Sequence, residues 1–141
     1  MNIDYTKPLS EEFIREFQDK VDWNHISYYK KLNEDFIRKF QDKVNWSVIS
    51  FYHKLSENFI REFQNKVDWR NISYYQKLSI KFIREFKDKI NWRNLLYKYG
   101  YNLIKFNYKY QIISNNYNSD YLEFDEFVNL ALRLISLKVF K

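Results

Sequence analysis

Histidine is the residue type in this chain best suited to bind a metal, because the chain contains no cysteine. Without cysteine there are no disulfides, no thiolate chemistry and no cysteine-ligated zinc. His25 and His53 are the only histidines, and they occupy non-equivalent positions in a repeated sequence pattern. A zinc site needs three or four ligands at a suitable spacing, which these two residues do not supply. We therefore expect no metal and no cofactor, and we predict that both histidines are solvated surface residues.

Serine and carboxylate side chains recur along the chain, but their pattern does not resemble a catalytic site. Ser27, Ser50 and Ser73 hold equivalent positions, where a hydroxyl would pack closely or bond a carbonyl one helical turn back. The recurring arginines are expected to pair with neighbouring acids such as Glu11; they are Arg15, Arg38, Arg61 and Arg84. No glycine-rich phosphate loop or nucleophile motif is present. We therefore predict that the protein is not an enzyme.

One segment has the length of a calcium-binding loop. Residues Asn115 to Glu126 number twelve, and Glu126 stands last, as an EF-hand requires. However, Tyr117 stands where that loop needs an oxygen ligand, and Asp120 stands where it needs a glycine. These departures favour an accidental match.

A repeat of 23 residues dominates the sequence and determines which elements position these side chains. Trp, Phe and Leu each recur at this interval, at Trp23, Trp46, Trp69 and Trp92, at Phe13, Phe36, Phe59 and Phe82, and at Leu9, Leu32, Leu55 and Leu78. The unit is approximately LSExFIREFQDKVDWxxISYYxK, and four copies run from Leu9 to Gly100.

Each unit has two helix start signals. The apolar residues of its first half fall four apart, as in Leu9, Phe13, Phe17 and Val21. Ser10 precedes this stripe as an N-cap, and Asp22 provides a second N-cap directly before Trp23. Lys20 is expected in the last turn of the first helix, where a cation suits the helix dipole. The pattern predicts two short helices per unit, joined by almost no loop.

Helices this short are marginal alone, so their apolar stripes must be buried against neighbouring units. The sequence therefore predicts an all-α protein, an αα-solenoid of four two-helix repeats with a helical C-terminal cap. We expect residues 1–100 to form the repeat array and residues 101–141 to form the cap of the same structural domain. Residues 104–112 alternate like a strand, but Leu103, Phe106, Tyr110 and Ile113 also fit a helix, which we prefer. A loop over Ser114–Ser119 and a helix from Asp120 to about Val139 follow.

The copies LSEEFIREFQDKVDW, LNEDFIRKFQDKVNW and LSENFIREFQNKVDW resemble the short tandem repeats found in many proteins of mimivirus-like giant DNA viruses of amoebae. The resemblance covers about residues 9–100, and its W-x-x-I-S and F-I-R-E-F elements are distinctive. It implies helical repeats and a viral source. It implies no particular activity, and the tail after Gly100 lies outside it.

The charge pattern favours a protein partner over nucleic acid. The formal net charge of +6 comes from 24 basic and 18 acidic residues that are interspersed along the chain. The lysine ladder is accompanied by acids, as Lys20 is by Asp19, which weakens the field that a phosphate backbone needs. The aromatic ladder is interpreted as core; it consists of Tyr28, Phe51, Tyr74 and Tyr97. Nucleic-acid binding through the basic surface is the alternative function.

A binding scaffold combines a constant framework with variable exposed positions, and two columns of the repeat vary in this way. The first column follows the tryptophan: Asn24 and His25, Ser47 and Val48, Arg70 and Asn71, Arg93 and Asn94. The second lies near the end of the second helix: Lys30, His53, Gln76 and Tyr99. We predict that these columns form the contact surface for an unidentified protein.

The sequence also predicts where the protein acts. The N-terminal ten residues have no apolar run, so we expect no signal peptide. No stretch approaches the length of a membrane span, so we expect no membrane partner. The expected location is intracellular, in the host cytoplasm or in the virion if the source is viral.

Overall fold

The computed structural model describes residues 2–29, 32–101 and 124–139. In those residues the chain forms nine α-helices and no β-strand, which confirms the predicted all-α repeat fold with a C-terminal helix. The first helix of each repeat is called an A helix, and the second a B helix. The A helices are α1 (Glu11–Glu16), α3 (Glu34–Lys39), α5 (Glu57–Glu62) and α7 (Ile80–Glu85). The B helices are α2 (Trp23–Ser27), α4 (Trp46–Tyr52), α6 (Trp69–Tyr75) and α8 (Trp92–Lys98), and α9 spans Phe124–Val139.

Side-chain caps fix where the helices begin, as the sequence predicts. At the A helices, the Ser10 hydroxyl accepts a hydrogen bond from the Phe13 amide, and Asn33, Ser56 and Ser79 do the same in the later repeats. At the B helices, the Asp22 carboxylate accepts hydrogen bonds from the amides of Asn24 and His25. Each cap satisfies amides that have no partner inside the helix.

The A helices end earlier than expected. The backbone leaves the helical region at Phe17, with φ −108° and ψ 27°, so α1 has only six residues. Lys20 then lies in a turn, where its amide donates to the Phe17 carbonyl at 2.8 Å. The placement of Lys20 in a last helical turn was therefore wrong, and so was the expectation of almost no loop. The indole Nε1 of Trp23 closes this turn by donating to the Gln18 carbonyl at 2.8 Å.

Each repeat contributes buried aliphatic residues from both of its helices. Ile14 and Ile37 of the A helices are no more than 2% exposed, and Ile26 and Ile49 of the B helices are fully buried. Burying one such side chain contributes about 2 kcal/mol. The chain divides into two compact units, Met1–Asp68 and Trp69–Lys141. The expectation that residues 1–100 and 101–141 form one structural domain stays a prediction.

The recurring serine of the B helices joins consecutive repeats. The fully buried Ser27 hydroxyl donates to the Trp23 carbonyl at 2.6 Å, which confirms the bond one turn back. The same oxygen accepts a hydrogen bond of 2.8 Å from the Asn45 amide of the next repeat. Ser50 accepts in the same way from Asp68, and Ser73 accepts from Asn91, each at 2.9 Å. One hydroxyl therefore satisfies a carbonyl in its own repeat and a helix-cap amide in the next.

In the first and last repeats, other residues take the place of the serine that joins neighbouring repeats. In the first repeat, the Asp22 amide donates to the Tyr5 hydroxyl at 2.6 Å, in place of a preceding serine. In the fourth repeat, the buried Leu96 stands where the serine would be. Helix α9 packs against α7 and places Phe127 against Trp92, with 5.3 Å between ring centroids. The corresponding contact inside the array, Trp23 with Phe40, measures 5.0 Å. Helix α9 therefore covers Trp92 with an aromatic ring as the next A helix covers Trp23, but at an angle of 77° instead of 41°.

Candidate functional site

The exposed side of the B helices combines a variable polar column with an aromatic column. The polar residues Asn24, Ser47, Arg70 and Arg93 directly follow the tryptophans, and all four are exposed. Four residues later come Tyr28, Phe51, Tyr74 and Tyr97. Residues four apart lie on the same side of a helix, so each polar residue has an aromatic neighbour. We call these eight residues the B face, and treat its two halves separately, one in each compact unit.

The aromatic column is not core, which corrects the sequence interpretation. Tyr28 is 49% exposed, Phe51 is 37% exposed and Tyr97 is 65% exposed, while Tyr74 is half-buried. The core position of the B helix is taken by the residue two places earlier, such as Ile26. Successive helical residues are rotated by about 100°, so a side chain two places after a buried one turns outward. Tyr52 and Tyr75, which the sequence analysis did not select, are 55% and 46% exposed beside this column.

The aromatic rings of each unit contact one another. In the first unit, the ring of Tyr52 lies 4.8 Å from that of Tyr28 and 4.5 Å from that of Phe51, measured between centroids. In the second unit, the rings of Tyr74 and Tyr97 lie 6.1 Å apart at an angle of 25°. Ring contacts limit side-chain motion, so binding on this surface would cost less conformational entropy than ordering isolated tyrosines.

The second predicted column is mostly structural. His53 is 5% exposed and Gln76 is 3% exposed, so neither is a surface contact residue, and the prediction of a solvated His53 was wrong. The His53 Nε2 atom lies 2.7 Å from the Ser27 carbonyl oxygen, so it holds the end of the preceding B helix. Tyr99 is half-buried, and burial raises the pKa of its phenol. Lys30 lies outside the described residues.

Part of the first column is also buried. Val48 is 9% exposed, and Asn71 and Asn94 are half-buried, so they are not freely exposed contact residues. The Asn94 side-chain amide donates to the Arg70 carbonyl at 3.2 Å, which joins two repeats. His25 is exposed as expected; its ring stacks on Tyr5, and its Nδ1 lies 2.9 Å from an Asp22 carboxylate oxygen. This hydrogen bond lowers the pKa of Asp22.

The charges are distributed unevenly between the two kinds of helix. The four segments 23–31, 46–54, 69–77 and 92–100 contain no Asp or Glu, so the acids of the array lie in or beside the A helices, apart from Asp22 and Asp68, which directly precede B helices. There they pair with bases between repeats: the Lys43 ammonium lies 2.7 Å from the Asp19 carboxylate, and the Lys66 ammonium lies 2.6 Å from that of Asp42. The interspersed charges of the sequence suggest a diffuse excess of positive charge. The excess in the array is instead concentrated in the four segments without acids.

Lys98 is a half-buried basic residue of these segments. Its ammonium donates to the Gln76 carbonyl, and burial lowers its pKa. Lys98 therefore serves the packing of α8 on the preceding repeat. Arg70, Arg93 and Lys77 are the exposed bases of the second unit's B segments.

The described residues contain no cluster of three His, Cys, Asp or Glu side chains that could hold a metal. The proposed match to a calcium loop at 115–126 lies mostly outside the described residues. A cavity of about 140 Å³ is lined by Pro8, Leu9, Glu11, Ile14, Tyr29, Leu32, Asn33 and Phe36. Sites for small-molecule ligands usually measure about 300–1,000 Å³, so this cavity is too small to be a substrate site.

In the part of the chain that the structure covers, no helix is long and apolar enough to cross a bilayer. No protein-family model, no curated protein and no solved structure matches this chain.

Proposed function

We propose that this protein is a binding scaffold whose partner is another protein, held on the B face. The observation that carries the proposal is that the B helices of each unit present exposed aromatic side chains in contact with one another. Tyrosine and arginine are enriched in protein interfaces, and they often carry most of the binding free energy. The B face presents both residue types and contains no acid, and the Asp68 carboxylate at its edge accepts a hydrogen bond from the Ser47 hydroxyl. The proposal is binding without catalysis.

Nucleic-acid binding is a second candidate, because the B segments contain no acidic residue. Exposed tyrosines can stack on the bases of a single strand. A phosphate backbone, however, carries one charge per nucleotide and needs a dense row of bases. On the B face of the first unit, Asn24, Tyr28, Ser47 and Phe51 are all uncharged. This lack of cations favours a protein partner.

The test is a selection from a displayed library of short random peptides on the immobilised chain, followed by fluorescence anisotropy with the selected peptides. Variants Tyr28→Ser and Tyr97→Ser remove exposed rings of the B face, one in each unit, and Leu137→Ser, at a position 63% exposed on α9, is the matched control. For peptides bound at the replaced tyrosine, we expect each variant to weaken the binding free energy by about 2 kcal/mol, which is close to 30-fold in affinity. The proposal fails if no peptide binds, or if binding ignores both tyrosines.

The retention of labelled single-stranded DNA and RNA at increasing salt tests the second candidate, because counterion release makes such binding fall steeply with salt. A giant-virus source, and with it a role as an accessory or virion protein, stays a prediction from the repeat sequence.

A further inference from the structure

The polar column of the B face changes its charge along the chain. Its residues are Asn24 and Ser47 in the first unit, and Arg70 and Arg93 in the second. Both arginines are exposed, and each precedes an aromatic residue by four positions, Tyr74 and Tyr97. The second unit therefore pairs each guanidinium with a tyrosine on the same side of its helix.

The two segments that carry these guanidinium groups contain basic but no acidic residues, and the acid Asp68 directly precedes the first of them. Segments 69–77 and 92–100 contain Arg70, Lys77, Arg93 and Lys98 but no Asp or Glu. Lys98 is half-buried and donates to the Gln76 carbonyl, whereas Arg70, Arg93 and Lys77 are exposed. A surface of one charge sign attracts partners of the opposite sign.

We infer that the Arg–Tyr surface of the second unit binds a partner segment that carries carboxylates next to apolar side chains. The inference rests on the proposed function, and it names the chemistry of the partner. A guanidinium binds a carboxylate through two parallel hydrogen bonds. An Asp or Glu side chain of a peptide provides such a carboxylate. The tyrosine rings beside it cover the apolar neighbours of that carboxylate.

The arrangement fits a peptide better than a nucleic-acid strand. Tyr97 is 65% exposed and Tyr75 is 46% exposed, so the surface presents aromatic rings as well as cations. Only two column positions carry a guanidinium, which suits a few carboxylates and not a continuous phosphate backbone.

The experiment examines the peptides selected on the complete chain and then changes their charge. We expect Asp or Glu beside aromatic or aliphatic residues in the peptides that need Tyr97. Replacing those acids by Asn or Gln should weaken binding at least about tenfold. The double variant Arg70→Gln/Arg93→Gln should cause a similar loss and abolish the difference between acidic and amide peptides. Lys81→Gln/Arg133→Gln removes the same charge from exposed positions of the same unit, and should change affinity less than about twofold.

The outcomes separate this inference from the proposed function. If Tyr97-dependent peptides lack acids, or if their amide versions bind equally well, the inference is overturned while the proposed function stands. If no peptide binds and a single-stranded oligothymidine binds in an Arg70- and Arg93-dependent manner, the inference and the protein-binding proposal both fail in favour of nucleic acid. If neither probe binds, both are overturned.

Discussion

Replacing Ser27 by alanine should weaken the joint between the first two repeats. The substitution removes two hydrogen bonds from a fully buried hydroxyl, one to the Trp23 carbonyl and one from the Asn45 amide. The amide is left partly buried without its acceptor, which costs about 1–3 kcal/mol. We therefore expect Ser27→Ala to lower the free energy of unfolding by about that amount.

Ser136 provides the control for this substitution. Its hydroxyl donates to the Leu132 carbonyl one turn back at 2.8 Å, as Ser27 does to Trp23, and no bond to a next repeat is described for it. Bonds of this kind within one helix contribute little, so Ser136→Ala should cost only a few tenths of a kcal/mol.

Two measurements check the prediction, because a chain with two compact units need not unfold in a single step. Urea unfolding followed by circular dichroism gives the change in stability. Hydrogen exchange of the Asn45 amide reports the joint itself, and it should become at least about fivefold faster in Ser27→Ala. The reasoning is refuted if Ser27→Ala is no more destabilising than Ser136→Ala and leaves this exchange rate unchanged.

Three further predictions concern the remaining contacts between repeats and the helix caps. Tyr5→Phe keeps the ring that stacks on His25 but removes the acceptor for the Asp22 amide. Because this hydrogen bond is exposed, we expect the free energy of unfolding to fall by less than about 1 kcal/mol and the hydrogen exchange of that amide to become faster. His53→Leu leaves the Ser27 carbonyl without its partner and should cost about 1–3 kcal/mol in urea unfolding, whereas His53→Gln, the residue of the next repeat, should cost less; equal losses would contradict the assigned bond. The pKa of Asp22 is lowered below its ordinary 3.8, chiefly by the hydrogen bond with His25, so its contribution to stability is complete above that value and is lost as the pH falls through the lower folded-state pKa. Asp22→Asn, which keeps a cap like that of Asn45, should therefore lose less melting temperature than the wild type between pH 5 and pH 2; an equal loss would show that Asp22 does not contribute.

The sequence predicted the helix starts well because caps are local chemistry. Ser10 and Asp22 need only the amides of the residues that follow them, and the structure shows both bonds. The helix ends were harder to predict. The apolar spacing continues through Phe17 to Val21, but the backbone turns at Phe17 so that the Trp23 indole can reach the Gln18 carbonyl. That reach depends on the packing of two helices, which periodicity does not encode.

The exposure of the candidate contact residues was predicted in part. Asn24 and Arg93 are exposed as expected, but sequence variation alone did not separate exposed from buried positions. The position of His53 varies between repeats although His53 is buried. Its ring contacts a backbone carbonyl, which several types of side chain could also reach. A signal was present: the residues of that column, Lys30, His53, Gln76 and Tyr99, can all donate a hydrogen bond. The exposed tyrosines carried a signal as well, since Tyr28 lies four positions after Asn24.

The hydrogen bonds of Ser27, Ser50 and Ser73 to the next repeat, here called serine bridges, have a consequence for how such a protein changes over generations. Each bridge uses a hydroxyl from one repeat and a cap amide from the next, and nothing in it depends on the position within the array. A tandem duplication or deletion of one 23-residue unit, such as residues 33–55, would regenerate an equivalent bridge at the new junction. Tyr5 and α9 would still serve the two outermost copies. The number of repeats can therefore vary between related genes without a compensating substitution, and with it the number of aromatic positions offered to a partner.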